Sequence, residues 1–143
     1  MLTLTNEQIS FQNYFKSSKR IISIHDIPHK DVYKYLSASD IGFLIRSNHI
    51  LNQVSSPIKF AEYLVCGNPV IITPWVGDQS DLVNIYDLGV VIEGEKETDI
   101  SRIEEFIIKY KKDVTGYRKW CSRFAQDYLS WDALVDRLTE VYN

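Results

Sequence analysis

The spacing of apolar and polar positions changes period several times along the chain, and each change marks an element. Residues 1–5 alternate as a strand does. Thr5-Asn6-Glu7-Gln8 has the form of a capping box opening a helix to about Lys16, with Ile9, Tyr14 and Phe15 on one face. A β-branched run from Arg20 to His25 predicts the next strand, closed by Asp26-Ile27-Pro28-His29. A second helix, roughly Lys30 to Ser37, turns Val32, Tyr35 and Leu36 inward. Asp40 to Arg46 is nearly all apolar, the pattern of a parallel strand covered on both faces, and a polar loop follows from Ser47 to Gln53.

The best-marked stretch is Ser55 to Thr73. Ser56 at the N-cap, Pro57 at the first helical position, and Gly67 with Pro69 beyond the last turn bound one helix, and residues 69–73 form a buried strand directly after it. Lys59, Glu62 and Cys66 recur at i, i+3 and i+7 as a polar face, leaving Ile58, Ala61, Leu64 and Val65 to pack. A loop at Pro74-Trp75-Val76-Gly77-Asp78, a helix from Gln79 to Tyr86 and a strand from Leu88 to Ile92 come next, then a charged turn from Glu93 to Glu97. From Asp99 the period is helical only. Ile100, Ile103, Phe106, Ile107 and Tyr110 form one stripe; Tyr117, Trp120, Cys121, Phe124 and Tyr128 a second; Leu134, Leu138 and Val141 a third. Ser130 before Trp131-Asp132 caps the final helix.

Strands and helices thus alternate before the terminal helices, which predicts an α/β fold: a doubly wound, Rossmann-like parallel sheet in a single domain over 1–143. Such sheets bind ligands outside the carboxyl ends of their strands, so the loops after Ile24, Ile45, Ile72 and Ile92 share one rim. The formal charge of -3, with lysines scattered among acids, gives no basic footprint for a nucleic-acid partner. Cys66 and Cys121 show no ligand spacing and read as free thiols of a reducing compartment, with no metal site. Residues 1–7 lack the features of a secretory signal and no apolar run reaches membrane-spanning length, so a cytoplasmic location is expected.

Several blocks in order carry a resemblance. Tyr35-Leu36-Ser37-Ala38-Ser39-Asp40-Ile41-Gly42, Ser56-Pro57-Ile58-Lys59 with Glu62-Tyr63, Gly67-Asn68-Pro69-Val70, Val76-Gly77-Asp78, Leu88-Gly89-Val90 and the closing Ser130-Trp131-Asp132 make the chain similar to the C-terminal, donor-binding domain of GT-B glycosyltransferases, close to family 4. The resemblance implies the nucleotide-sugar-binding half of an enzyme moving a sugar from a nucleotide diphosphate to an acceptor, in glycan or polysaccharide biosynthesis. It implies that Glu62 accepts hydrogen bonds from ribose hydroxyls, and that Lys59, Ser55 and Ser56 sit near the diphosphate or sugar at the helix N-terminus. Asp26 and Ile27 would lie beside the base. Arg46 either meets phosphate or sugar or is a solvated loop arginine, and Lys59 either adds charge at the diphosphate or pairs on the surface. Asp81 falls where the family often has an acid, and His25 and His29 are candidates by position alone. No catalytic residue is assigned, and neither metal nor other cofactor is implied beyond the donor.

Two departures shape the expectation. Val54 stands where the family's pair of glutamates, eight positions apart, has its first acid. The family's opening strand, with its Gly-Arg-x-x-x-x-Lys-Gly-like loop, has no counterpart at residues 1–5. The expected sheet therefore lacks its first strand: either residues 2–5 pair with the strand at 40–45, or a second copy of the chain supplies a strand in a homodimer. The chain by itself would be inactive, needing an acceptor-binding domain in the same or another chain. The alternative is a non-catalytic α/β interaction or regulatory module. A receiver domain fits poorly, because Asp40 begins its strand, and a flavin site fits poorly because Asn6-Glu7-Gln8 is acidic.

Overall fold

A computed structural model describes residues 27–94 and 97–142. The elements expected within residues 1–25, together with His25 and Asp26, lie outside the described residues. The chain divides into two compact units, Met1–Asp31 and Val32–Asn143. Of the first, the described part is a single 3-10 turn at His29–Asp31, closed by the Asp31 N–H on the Pro28 carbonyl at 2.8 Å.

The second unit is α/β, with an open, three-stranded, all-parallel sheet. Its elements are α1 (Val32–Ala38), β1 (Gly42–Leu44), α2 (Ile50–Gln53), α3 (Ile58–Val65), β2 (Val70–Ile72), α4 (Gln79–Tyr86) and β3 (Gly89–Val91). Helices α5 (Glu97–Lys112) and α6 (Val114–Phe124), a π-helical turn (Ala125–Leu129) and α7 (Trp131–Tyr142) follow. The strands run in the order β1-β2-β3, with Gly42, Val70 and Gly89 in register. Leu44, Val70, Ile72 and Val91 point to one face, where Phe60 and Leu64 of α3 and Cys121 and Phe124 of α6 complete the core.

The opposite face is covered unevenly. Ile71 is 1% exposed, but its register partner Phe43 on β1 is 58% exposed, and Ile45 is open as well. The apolar run at 40–46 thus does not mean cover on both sides along β1. Two helix faces also differ from the periodicity. Tyr35 and Ile100, expected inward, are exposed. In α3 the expected packing residue Ile58 is 70% exposed, while Phe60 and Leu64, one turn apart, are fully buried. The polar loop expected at 47–53 contains a short helix, α2, whose N-cap is His49: its Nδ1 accepts the Leu51 N–H at 3.2 Å.

The ends of α3 show why the segment folds so sharply. Its helix starts one residue later than expected, with Pro57 in the N-cap position and Ser56 outside, so Ser56 does not cap. At the other end the Gly67 N–H bonds Leu64 O at 2.8 Å and the Asn68 N–H bonds Tyr63 O at 2.9 Å, a Schellman closure. It needs a left-handed residue at the turn, and Gly67 supplies φ +79. Side chains of α6 then take the last carbonyls: Ser122 Oγ donates to Val65 O at 3.0 Å and Arg118 Nη2 to Cys66 O at 3.0 Å. Arg118 Nη1 also donates to Ser39 O at 2.7 Å, tying α6 to the chain beyond α1. Ser130 does cap α7, its Oγ accepting the Ala133 N–H at 3.2 Å.

Against this core, burial pushes the Cys121 thiol from 9.0 up to about 12, with the Asp87 carboxylate adding to the rise and Arg118 opposing it. Burial and Asp87 also raise the Tyr117 phenol, whose hydroxyl donates to Asp87 O at 2.5 Å. The unfolded chain sheds both protons at lower pH than the native one, so it binds fewer protons on the alkaline side. This stability is whole below the unfolded Cys value of 9.0 and is lost as pH rises toward the folded value of about 12. We expect the urea midpoint to fall steadily from about pH 9 to about pH 12, and less steeply in Cys121→Ala. Identical slopes in the two proteins would contradict this.

Candidate functional site

The carboxyl ends of the three strands open into a cleft of about 490 Å³, lined by Ile45, Arg46, Ser47 and Asn48 after β1, Thr73 and Trp75 after β2, and Glu93 and Gly94 after β3. Each lining residue lies in the stretch immediately following a strand. Parallel strands place such stretches side by side, so the sheet itself assembles the rim.

Hydrogen bonds fix each wall. The Thr73 hydroxyl accepts the Arg46 N–H and donates to Arg46 O, both at 2.9 Å, and locks the exit of β1 to the exit of β2. Thr73 is almost fully buried, so this lock lies beneath the cleft. Arg46 Nη1 donates to Asn52 Oδ1 of α2 at 3.2 Å, and Asn52 Nδ2 donates to Ser47 O at 2.9 Å. The short helix α2 therefore holds the arginine loop. Four of the five guanidinium donors are not used by this contact, and Arg46 is exposed at the cleft.

The third wall is held by an acid. Asp99 sits in the first turn of α5, is almost fully buried, and accepts the Glu93 N–H at 2.9 Å and the Gly94 N–H at 2.7 Å. Gly94, at φ +97, lets these two amides turn inward together. Because Asp99 takes both amides, an incoming anion meets Arg46 rather than backbone donors on this side. The half-buried indole of Trp75 offers a flat apolar surface in the same cleft. Chemically the cleft suits a ring on Trp75 with an oxyanion on Arg46.

Of the six residues singled out from sequence, the five in the second unit do not line one cavity. Arg46 lines the cleft. Ser56 lines a separate groove, where its Oγ accepts from Gln79 Nε2 at 3.0 Å. Ser55 Oγ is turned to Asn52 O at 2.9 Å. Lys59 Nζ and Glu62 Oε2 pair at 2.5 Å on α3, the lysine half-exposed and the glutamate 20% exposed, and neither lines the cleft or the groove. Partly exposed, such a pair contributes about 1 kcal/mol. Ile27 belongs to the first unit and is half-buried. Asp81 is an exposed residue of α4, and His29 lies in the 3-10 turn. Among the described residues no three His, Cys, Asp or Glu side chains converge as a metal site requires.

Sequence reasoning passed over Thr73, Trp75, Gly94 and Asp99. The first three each lie one to three residues beyond a strand end, which is the signal that marks them. Asp99 carries no such signal, because its role depends on the turn at Gly94. Among the described residues no helix is long and apolar enough to cross a membrane. Comparison with protein-family models, curated proteins and solved structures gives no match to this chain.

Proposed function

We propose that the chain is the nucleotide-sugar-binding half of a glycosyltransferase with a GT-B, doubly wound donor domain. In this reading the cleft at the strand ends holds the nucleotide diphosphate part of a sugar donor. The observation that carries it is the cleft's composition: an arginine and an indole brought together at the carboxyl rim of a parallel sheet. The ordered blocks from Tyr35 to Asp132 supply the rest of the support. Arg46 neutralises charge on the diphosphate, and Trp75 carries the base or the sugar ring. The Lys59–Glu62 pair does not line this cleft and takes no part in this reading. Catalysis in such a site is positioning plus stabilisation of the departing diphosphate, completed by an acceptor-binding domain.

Calorimetric titration with uridine and guanosine diphosphates tests this. One of them should bind, and Arg46→Ala should weaken it by about tenfold to hundredfold, the range expected for a charge-assisted contact. Absence of binding to either nucleotide at millimolar concentration would overturn the proposal.

The open face of β1 favours a second reading, a non-catalytic interaction module. Phe43 on β1 and Ile45 just beyond its end, with Ile50, Leu51 and Val54 in and after α2, are all exposed apolar residues. That reading predicts no nucleotide binding and an oligomeric state that shifts in Phe43→Glu.

A further inference from the structure

The segment Asp40-Ile41-Gly42-Phe43-Leu44-Ile45-Arg46, which contains β1, is close to symmetric in chemical type about its centre, Phe43. Gly42 and Leu44 flank the phenylalanine, Ile41 and Ile45 stand beyond them, and the two ends carry opposite charges on Asp40 and Arg46. Both charged residues are exposed.

β1 is an edge of the sheet that the described residues form. Alternate residues bond it to β2. The Gly42 N–H donates to Pro69 O at 2.9 Å, Leu44 O accepts the Thr73 N–H at 3.3 Å, and the Arg46 N–H donates to Thr73 Oγ1 at 2.9 Å. The backbone groups of Phe43 and Ile45, which stand between these, therefore point away from β2 to the open edge. Their side chains are exposed too, on the face opposite the core.

An open edge is a template for a further strand, and the order of residues says which strand fits. In an antiparallel pair, a residue whose N–H and C=O both face the partner exchanges two bonds with the residue directly opposite. With Phe43 of one copy opposite Phe43 of another, Ile41 falls opposite Ile45, Gly42 opposite Leu44, and Asp40 opposite Arg46. Each unlike pair then occurs twice, as a two-fold axis requires. Apolar side chains meet on the open face, and both charge pairs are opposite in sign, the favourable cross-strand arrangement. A parallel pair in register would instead set Asp40 beside Asp40 and Arg46 beside Arg46. Arg46 has donors for this contact, since its bond to Asn52 uses one of five.

We propose that a second copy of this chain joins here, β1 against β1, antiparallel and centred on Phe43, with Asp40 of each copy paired to Arg46 of the other. The pairing is measured without nucleotide and does not rest on what the rim cleft binds.

Sedimentation equilibrium of the full chain tests it, with circular dichroism as the check on folding. The parent should be a reversible dimer. Asp40→Arg alone sets arginines against each other at both ends of the pairing, and Arg46→Asp alone sets aspartates against each other. Each should weaken self-association by about a hundredfold or more. Mixed in equal amounts, the two variants should associate with one another, because every facing charge pair is then opposite in sign. The double variant should likewise regain self-association, and it decides the matter if either single variant fails to fold. A parent that stays monomeric up to about 1 mM, single variants that associate as the parent does, or a mixture or double variant that stays monomeric would overturn the proposal.

Discussion

Gly89→Ala is expected to abolish the folded state. Gly89 stands in β3 at φ +155, and a Cβ there would come 1.9 Å from Val70 O and 2.7 Å from Val70 N of the neighbouring strand. Both atoms are backbone within the three-stranded sheet, so no side-chain rotation relieves the clash. Either β3 separates from β2 or both strands bend, and the register between Val70 and Gly89 is lost. Relief of this kind costs more than about 4 kcal/mol, comparable to the whole stability of a small domain. Circular dichroism on heating should show no cooperative transition. A variant melting within a few degrees of the parent would show that β3 does not lie against Val70 in this way.

Phe60→Ala should be the most damaging large-to-small change in α3, at about 3 to 5 kcal/mol, since Phe60 is fully buried in the core beneath the sheet. Ile58→Ala, two residues earlier on an exposed side chain, should change stability by less than about 0.5 kcal/mol. The contrast between the pair measures the helix register in urea unfolding. Comparable losses in both variants would mean that α3 is rotated from the orientation described.

That register was only partly legible in the sequence. Ser56, Pro57, Gly67 and Pro69 bounded the helix to within a residue, because caps and stops act locally and need no tertiary context. Which side faces inward was read in part: Leu64 was expected to pack and is fully buried, whereas Ile58 and Val65 were expected to pack and are exposed, and Phe60 was passed over. Ile58 looks like a core residue by hydropathy, but a helix this short has room for few buried positions, and Phe60 and Leu64 occupy them. The strands after Asp40 and the helix at Gln79–Tyr86 emerged where β-branched runs and turn residues placed them. The open face of β1 did not, since a strand's own residues do not reveal whether anything packs on them.

The candidate site was legible as a place and not as a set of residues. Alternating strands and helices predicted a rim at the carboxyl ends of a parallel sheet, and a cleft lies there. Arg46 was foreseen because it directly follows an apolar run. Thr73 and Asp99 were not, because their hydrogen bonds reach across to a neighbouring strand exit or back around the Gly94 turn. The polar face of Lys59 and Glu62, prominent as a pattern, is an ion pair outside both cavities.

Backbone amide shifts on addition of uridine or guanosine diphosphate test the central claim most directly, because they report where a nucleotide sits as well as whether it binds. The account predicts saturable shifts clustered at Arg46, Ser47, Thr73, Trp75 and Gly94, lost in Arg46→Ala. Shifts gathered elsewhere, or none with either nucleotide, would contradict it.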